Sequence, residues 1–137
     1  MNIINLDKEK EIAIKAAKLA GKLLKEDKNI LNLKINSNPR DTKLKADIKS
    51  EKLILDILNS ESSYPVLAEE TGKTSDDLGD IFWVVDPLDG TANYNRNIPI
   101  CCVSIGLVNN MKPLIGVIFD FNNDDMFVGD NVNNLAR

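Results

Sequence analysis

The spacing of apolar residues divides the chain into a helical first half and a second half rich in strands. Over residues 7–25 the apolar positions recur every three or four residues, which predicts an amphipathic helix lying on a core. The same spacing predicts a second helix over residues 46–59. Between these helices Leu31, Leu33 and Ile35 alternate with polar residues, which predicts a half-buried strand.

The second half of the chain predicts a sheet. Its short apolar runs have the length of strands and cover residues 66–68, 81–85, 102–108, 114–121 and 126–128. Residues 81–85 are apolar throughout, which is typical of a strand covered on both faces. Asn109-Asn110 predicts a two-residue hairpin turn. The order of elements therefore predicts an α+β fold, with helices packed on a predominantly antiparallel sheet.

Length and charge exclude several classes of protein. A chain of 137 residues suits one domain that buries its own core. The formal net charge of −4 gives no basic footprint, so we expect no nucleic acid polymer as a partner. Charged residues occupy the start of the chain where a signal peptide would be apolar, and no apolar run is long enough to span a bilayer. We therefore expect a soluble, cytoplasmic protein with no membrane partner.

The residues that the chain lacks restrict its chemistry. It contains no histidine, which removes histidine nucleophiles, bases and metal ligands together. Its two cysteines, Cys101 and Cys102, are neighbours whose side chains point to opposite faces of a strand. Two buried thiols in a reducing compartment are therefore favoured over a redox pair. Carboxylates, hydroxyls and hard metal ions remain as the candidate catalytic groups.

An acidic pair follows the 81–85 run. We expect this strand to end on Asp86, Pro87 to stop the ladder, and Asp89, Gly90 and Thr91 to open a short helix. If Asp86 and Asp89 converge, two carboxylates about 4 Å apart repel by roughly 4 kcal/mol at an effective dielectric constant of about 20. A divalent cation is the simplest neutralisation, and oxygen ligands favour Mg²⁺, Mn²⁺ or Ca²⁺ over zinc. The alternative is that Asp89 is only a helix N-cap and Asp86 a strand-end carboxylate.

Two further features belong to the same hypothesis. Glu69-Glu70 also follows an apolar run, so a second strand presents acids at its end, although a solvated acidic pair is the favoured interpretation of these two residues by themselves. Gly90 and Thr91 would offer main-chain N–H groups to a phosphate at a helix start. The Thr91 hydroxyl would either orient a water molecule through a carboxylate or act as a capping group.

Three motifs resemble one known family. The segment Trp83–Tyr94, WVVDPLDGTANY, looks like the main signature of the inositol monophosphatase-like superfamily of Mg²⁺-dependent, lithium-sensitive phosphatases. Ala68-Glu69-Glu70 resembles its upstream Glu-Glu element, and residues 46–51 resemble the segment that begins its second helix with an essential aspartate. The resemblance spans roughly residues 41–128 and implies the N-terminal half of a layered α/β sugar-phosphatase fold.

The resemblance implies roles for individual positions. The metal ligands would be Glu69, Asp86, the Leu88 carbonyl and Asp89. The catalytic residues would be Asp47, Thr91 and Glu69, with Thr91, oriented by Asp47, activating a metal-bound water. The substrate would contact Glu69, Leu88, Asp89, Gly90 and Thr91. The cofactor would be two or three Mg²⁺ ions, with Mn²⁺ as a substitute and Li⁺ as an inhibitor.

The implied function is Mg²⁺-dependent hydrolysis of a small phosphate monoester resembling inositol monophosphate. The alternatives are a 3′(2′),5′-bisphosphate nucleotidase or a fructose-1,6-bisphosphatase of the same superfamily, or a catalytically incomplete fragment that binds only metal or phosphate. Family members are much longer than this chain. We therefore expect residues 1–137 to form a single N-terminal metal-binding domain without the C-terminal domain. The partner would be a small phosphorylated metabolite, and the full-length protein would be a homodimer.

The chain departs from the family pattern at one position, and the register of a second family residue is open. The family usually has a threonine three residues before the aspartate matched by Asp47, where this chain has Leu44. Lys34 is a candidate for the lysine that the family often places near the site. A haloacid-dehalogenase-like phosphatase fits less well, because its two aspartates are two residues apart whereas Asp86 and Asp89 are three apart.

Overall fold

Two long helices lie against a six-stranded sheet in the computed structural model, which describes residues 3–31, 34–37 and 42–132. None of the helices in these ranges is long and apolar enough to cross a lipid bilayer. The elements in chain order are α1 (Leu6–Glu26), α2 (Lys28–Leu31), β1 (Lys34–Ser37), β2 (Thr42–Leu44), α3 (Lys45–Glu61), β3 (Val66–Ala68), β4 (Gly72–Lys73), β5 (Ile81–Asp89), α4 (Thr91–Asn95), β6 (Cys102–Asn109), β7 (Lys112–Asp120) and β8 (Asp125–Asp130).

The sheet has the strand order β4-β3-β5-β6-β7-β8. The pairing of β3 with β5 is parallel, and the other four pairings in this sheet are antiparallel. Strands β1 and β2 form a separate antiparallel pair. The predicted α+β class with a predominantly antiparallel sheet is therefore confirmed. The parallel pair matters for the site, because it brings the ends of β3 and β5 to the same edge of the sheet.

The core lies between one face of the sheet and the helices α1 and α3. Small residues let α1 approach β6 and β7 closely, and α3 packs against α1 and β5. The buried apolar residues of α1 are Ile12, Ala13, Ala16, Ala17, Ala20 and Leu24. On the opposite face of the sheet Val84, Ile118 and Phe127 are partly exposed. This alternation along each strand is what a sheet covered by helices on one face requires.

Gly21 sets the distance between α1 and β7. A Cβ atom at this position would overlap the Phe119 ring and approach the Phe121 Cβ atom to 2.8 Å. We expect Gly21→Ala to lower the free energy of unfolding by about 1–3 kcal/mol through overpacking. Urea unfolding followed by Trp83 fluorescence measures the change. The matched control is Gly116→Ala in β7, where an added Cβ meets no atom within 4 Å. Equal midpoints for the two variants would contradict this account of the packing.

Both long helices predicted from the sequence are confirmed, but two local predictions are wrong. Leu31 is the last residue of α2 rather than part of a strand, because its N–H donates to the Asp27 carbonyl at 2.9 Å and continues the helical turn. Leu33 lies outside the described residues. The hairpin turn is Asn110-Met111, one residue later than predicted, with φ of 52° and 65°. Strand β7 accordingly begins at Lys112 and ends at Asp120.

Candidate active site and metal centre

Strand β5 carries both aspartates of the predicted site. Asp86 pairs with Ser104 and Asp89 with Cys102, and the ladder is irregular between these two pairs. The strand therefore continues through Pro87 to Asp89, and the prediction that Pro87 stops the ladder is wrong. A proline is tolerated here because its missing N–H falls in the irregular stretch, after which pairing resumes. Both carboxylates thus belong to one strand.

Gly90 makes the turn from β5 into α4. It is the N-cap of α4 with a left-handed φ of 90°, and a Cβ atom would come within 2.8 Å of the Ile100 carbonyl oxygen. Only glycine fits this backbone without strain. The following helix is held on both sides, because the Asn93 side chain donates to the same Ile100 oxygen at 2.8 Å and the Tyr94 hydroxyl donates to the Leu24 carbonyl at 2.6 Å.

The Thr91 hydroxyl lies against Asp47. Thr91 Oγ1 is 2.9 Å from Asp47 Oδ1 and 3.1 Å from the Leu88 carbonyl oxygen, so two acceptors share one proton. The second oxygen of Asp47 accepts the Leu44 N–H at 2.9 Å at the start of α3. Burial raises the pKa of Asp47, and the hydrogen bonds from Leu44 and Thr91 oppose that rise. Because the Thr91 hydroxyl is the donor in these contacts, the lone pairs of its oxygen can accept a hydrogen bond from another molecule.

Glu69 and Asp86 meet at the shared edge of β3 and β5. Ala68 on β3 is the parallel partner of Val85 on β5, so the residues that follow them lie side by side at the point where β3 ends and β5 continues. Those two residues are Glu69 and Asp86. Asp86 Oδ1 is buried and has no hydrogen-bond partner within the described residues. The strand pairing thus brings together two acids that are distant in the sequence.

The contact between these acids changes the protonation of Glu69. Burial of its carboxyl group, a hydrogen bond with Asp86 and the negative charges of Asp86, Glu70 and Asp47 raise the pKa of Glu69 from 4.5 to about 7. Like charges this close cannot both ionise without a compensating cation, so a proton held by Glu69 is the neutralisation open to the protein alone. A divalent metal ion would replace that proton.

The donor chemistry at Glu69 and Asp86 fits a hard divalent cation. Carboxylate oxygens are its preferred ligands, and the partnerless Asp86 Oδ1 is a buried acceptor that a cation would satisfy. Across the described ranges, however, no three Asp, Glu, Cys or His side chains are grouped so as to hold a metal ion by themselves. A cation bound to Glu69 and Asp86 would take its remaining ligands from main-chain oxygens, water or phosphate, as Mg²⁺ commonly does.

Asp89 is directed towards Cys102. The Cys102 thiol donates to Asp89 Oδ2 across 3.9 Å, and burial together with the charges of Asp89 and Asp86 raises the pKa of Cys102 to about 11. The N-cap of α4 is Gly90, so the alternative that Asp89 is only an N-cap is wrong. Both cysteines are free thiols, but only Cys101 is buried as predicted, whereas Cys102 is half-buried.

Two polar residues of α3 that the sequence analysis overlooked contact the site segments. The Ser50 hydroxyl donates to the Pro87 carbonyl at 2.7 Å, and the Glu51 carboxylate accepts main-chain N–H groups after β3. Their positions three and four residues after Asp47 place all three on one face of the helix, and this spacing was the available signal. Lys34 lies in β1, and its side chain is outside what the structure describes.

Comparison with known proteins identifies the family. The sequence model of the Inositol monophosphatase family matches residues 5–135. The chain belongs to the inositol monophosphatase family. Among its relatives, inositol monophosphatase 1 of Bos taurus is 34% identical over 124 residues, which are 87% of this chain and 45% of that protein. The Nus factor SuhB of Xylella fastidiosa is 39% identical over 119 residues, which are 85% of this chain and 42% of that protein.

Solved structures of the family share this fold. The inositol monophosphatase from Anabaena (Nostoc) sp. PCC 7120 superposes with a TM-score of 0.79 at 35% identity, over 95% of this chain and 46% of that one. An IMPase/NADP phosphatase complexed with NADP and Ca²⁺ superposes with a TM-score of 0.82, and its 15% identity supports the fold alone. The chain spans a little under half the length of the relatives it matches. Metal dependence is a property of the family.

Proposed function

We propose that this chain forms the metal-binding half of the active site of a phosphatase that hydrolyses small phosphate monoesters resembling inositol monophosphate. The observation that carries the proposal is the acid pair Glu69–Asp86, in which Asp86 Oδ1 is buried without a hydrogen-bond partner among the described residues. Asp47, which accepts the Thr91 hydroxyl, is close enough for its charge to raise the pKa of Glu69. Membership of the inositol monophosphatase family supports the reaction class. The complete activity belongs to the longer protein that the relatives represent.

Glu69 and Asp86 would hold the first cation, together with the Leu88 carbonyl, and Asp86 and Asp89 would hold the second. A cation bound there supplies positive charge to the phosphate and lowers the pKa of water. Family resemblance favours two or three Mg²⁺ ions, with Mn²⁺ as a substitute and inhibition by Li⁺. The acidic surroundings support a cation of any of these kinds, because the chain itself places no cationic residue in the segment 86–91.

Thr91 and Asp47 would orient the attacking water. The Thr91 hydroxyl donates to Asp47, so its lone pairs can accept a proton from water. The raised pKa of Asp47 makes its carboxylate a better acceptor for the proton that this hydroxyl relays. Gly90 has no side chain to obstruct a phosphate, and we place the phosphate beside Gly90 and Thr91.

A second candidate function is binding of metal or phosphate without turnover. It is favoured by the chain's length, a little under half that of its relatives, and by the lack of a three-acid group in the described ranges. A further metal-binding residue, which the family resemblance places outside this chain, would then complete the site. The homodimer, the cytoplasmic location and the single N-terminal domain predicted from the sequence stay predictions.

Release of inorganic phosphate tests the proposal. The substrates are myo-inositol 1-phosphate, fructose 1,6-bisphosphate and 3′-phosphoadenosine 5′-phosphate, each with Mg²⁺. In a protein that turns over, we expect Thr91→Val to lower kcat by about 100-fold or more because water loses its orienting group. Thr91→Ser keeps the hydroxyl and should retain most of the rate.

The outcomes separate the two candidate functions. Divalent-metal binding without phosphate release by this chain would favour the binding-only function. Phosphate release that Thr91→Val leaves unchanged would contradict the role of Thr91. If the chain neither binds a divalent metal ion nor releases phosphate, both candidate functions are contradicted.

A further inference from the structure

Glu51 is a buried carboxylate whose two oxygens are both used. The residue is 1% exposed on the face of α3 that looks towards the sheet. Its Oε1 atom accepts the Glu70 N–H at 2.8 Å, and its Oε2 atom accepts the Thr71 N–H at 2.9 Å. A buried carboxylate is costly unless hydrogen bonds compensate its lost hydration, so this arrangement demands both donors.

The two amides that Glu51 binds lie directly after Glu69. Ala68, the residue before Glu69, is the last residue of β3 and is fixed by its pairing with Val85. Glu69 is thus a single residue held between the sheet on one side and the Glu51 carboxylate on the other. Because φ and ψ of Glu69 are restrained from both directions, the direction of its side chain is restrained as well.

We propose that Glu51 is a positioning residue that aims the Glu69 carboxylate at Asp86 and thereby sets the affinity of this edge for a divalent cation. The inference rests on the proposed function, because it assigns Glu69 to metal binding. Glu51 touches neither the cation site nor a substrate directly. It acts through the main chain of the residues that follow Glu69.

Two other residues on the same face of α3 also contact segments of the candidate site. Asp47 accepts the Thr91 hydroxyl, Ser50 donates to the Pro87 carbonyl, and Glu51 accepts the amides after Glu69. One helical face therefore contacts three separate segments of the candidate site. A single rigid helix with three side chains at i, i+3 and i+4 can fix the relative positions of those segments.

Position 51 requires a carboxylate because both of its side-chain oxygens accept hydrogen bonds. The side chain must accept two hydrogen bonds from two adjacent N–H donors, one on each oxygen. Glutamine presents one acceptor and one donor, so its NH₂ group would face a main-chain N–H and leave that amide unsatisfied. Aspartate keeps the charge but is one methylene shorter, so it cannot reach both amides from the same helix position.

The test compares Glu51→Gln with Asp56→Asn, which removes one charge from an exposed ion pair with Lys52 on the same helix. Mn²⁺ serves as the probe, and the EPR signal of free Mn²⁺ reports binding to the 137-residue chain. We expect Glu51→Gln to weaken Mn²⁺ binding about tenfold or more, as loss of a residue behind a metal ligand does, and Asp56→Asn to leave it unchanged.

Hydrogen exchange supplies a second readout that needs no metal. We expect Glu51→Gln to speed exchange of the Glu70 and Thr71 amides about tenfold or more, with the β5 amides unchanged. If Glu51→Gln does not fold, Glu51→Asp is measured instead, and the positioning role predicts the same loss because charge alone does not restore the geometry. Mn²⁺ affinity equal to wild type in a folded Glu51→Gln or Glu51→Asp variant would overturn the inference. Absence of Mn²⁺ binding by the wild-type chain would overturn the proposed function itself.

Discussion

Replacing Asp86 by asparagine should abolish divalent-metal binding without destabilising the metal-free chain. Asp86 Oδ1 is buried without a hydrogen-bond partner among the described residues, and Asp86 lies against Glu69. Asparagine removes the negative charge, and its NH₂ group can donate to Glu69. We expect Mg²⁺ and Mn²⁺ affinity to fall about 100-fold or more, since a direct ligand should matter at least as much as the residues behind it.

The same substitution should not lower the stability of the metal-free chain. Without metal, the wild-type chain carries two acids in contact and an unsatisfied carboxylate oxygen, which are costs that asparagine relieves. We expect the free energy of unfolding of the metal-free Asp86→Asn variant to equal that of the wild type or exceed it by about 1 kcal/mol. Calorimetric metal titration and urea unfolding with EDTA measure the two effects, and Asp56→Asn is the exposed control. A variant that keeps metal affinity, or that loses stability, contradicts the assignment of Asp86.

The apparent affinity for metal should rise steeply with pH up to neutrality. The pKa of Glu69 is raised to about 7, so below that pH a cation must displace a proton from its carboxyl group. We expect the affinity to fall roughly tenfold for each pH unit below 7, and Glu69→Gln to bind metal weakly with little dependence on pH. A Glu69→Gln profile that still follows the wild-type slope would contradict the role of Glu69.

In the metal-free chain, the contribution of Glu69 to the free energy of unfolding should fall as the pH rises. The pKa of Glu69 is about 7 in the folded protein against an ordinary value of 4.5, so the folded state holds an extra proton between these values. The stabilisation from this group is therefore fully present below about pH 4.5 and is lost as the pH rises through about 7. Urea unfolding in EDTA at several pH values, compared with Glu69→Gln, isolates the contribution. A wild-type stability that rises relative to Glu69→Gln across this window would contradict the direction.

Much of the candidate site could be predicted from the sequence, because short local patterns determine the positions of its residues. Asp86 and Glu69 each follow an apolar run, and the strand formed by each run fixes the position of the acid, with Glu69 directly after β3 and Asp86 within β5. Gly90 and Thr91 likewise predict the start of a short helix. What the sequence could not show is that β3 and β5 are parallel neighbours, which decides that Glu69 and Asp86 meet.

The wrong and missed predictions have separate physical reasons. Pro87 does not end β5, because the ladder is irregular there and a missing donor costs little. The role of Glu51 depends on amides about twenty residues away in a turn that no periodicity describes. Leu31 belongs to a helix because its N–H donates to the Asp27 carbonyl, and a short alternating run of apolar residues could not distinguish that helix from a strand.

The most direct test of the central claim is a Mn²⁺ titration of the wild-type chain near neutral pH, followed by EPR. The account predicts that the chain binds Mn²⁺ with a dissociation constant below about 1 mM, that Mg²⁺ competes for the same site, and that Asp86→Asn removes the binding. A wild-type chain that leaves the free Mn²⁺ signal unchanged, or an Asp86→Asn variant that binds Mn²⁺ equally well, would contradict it.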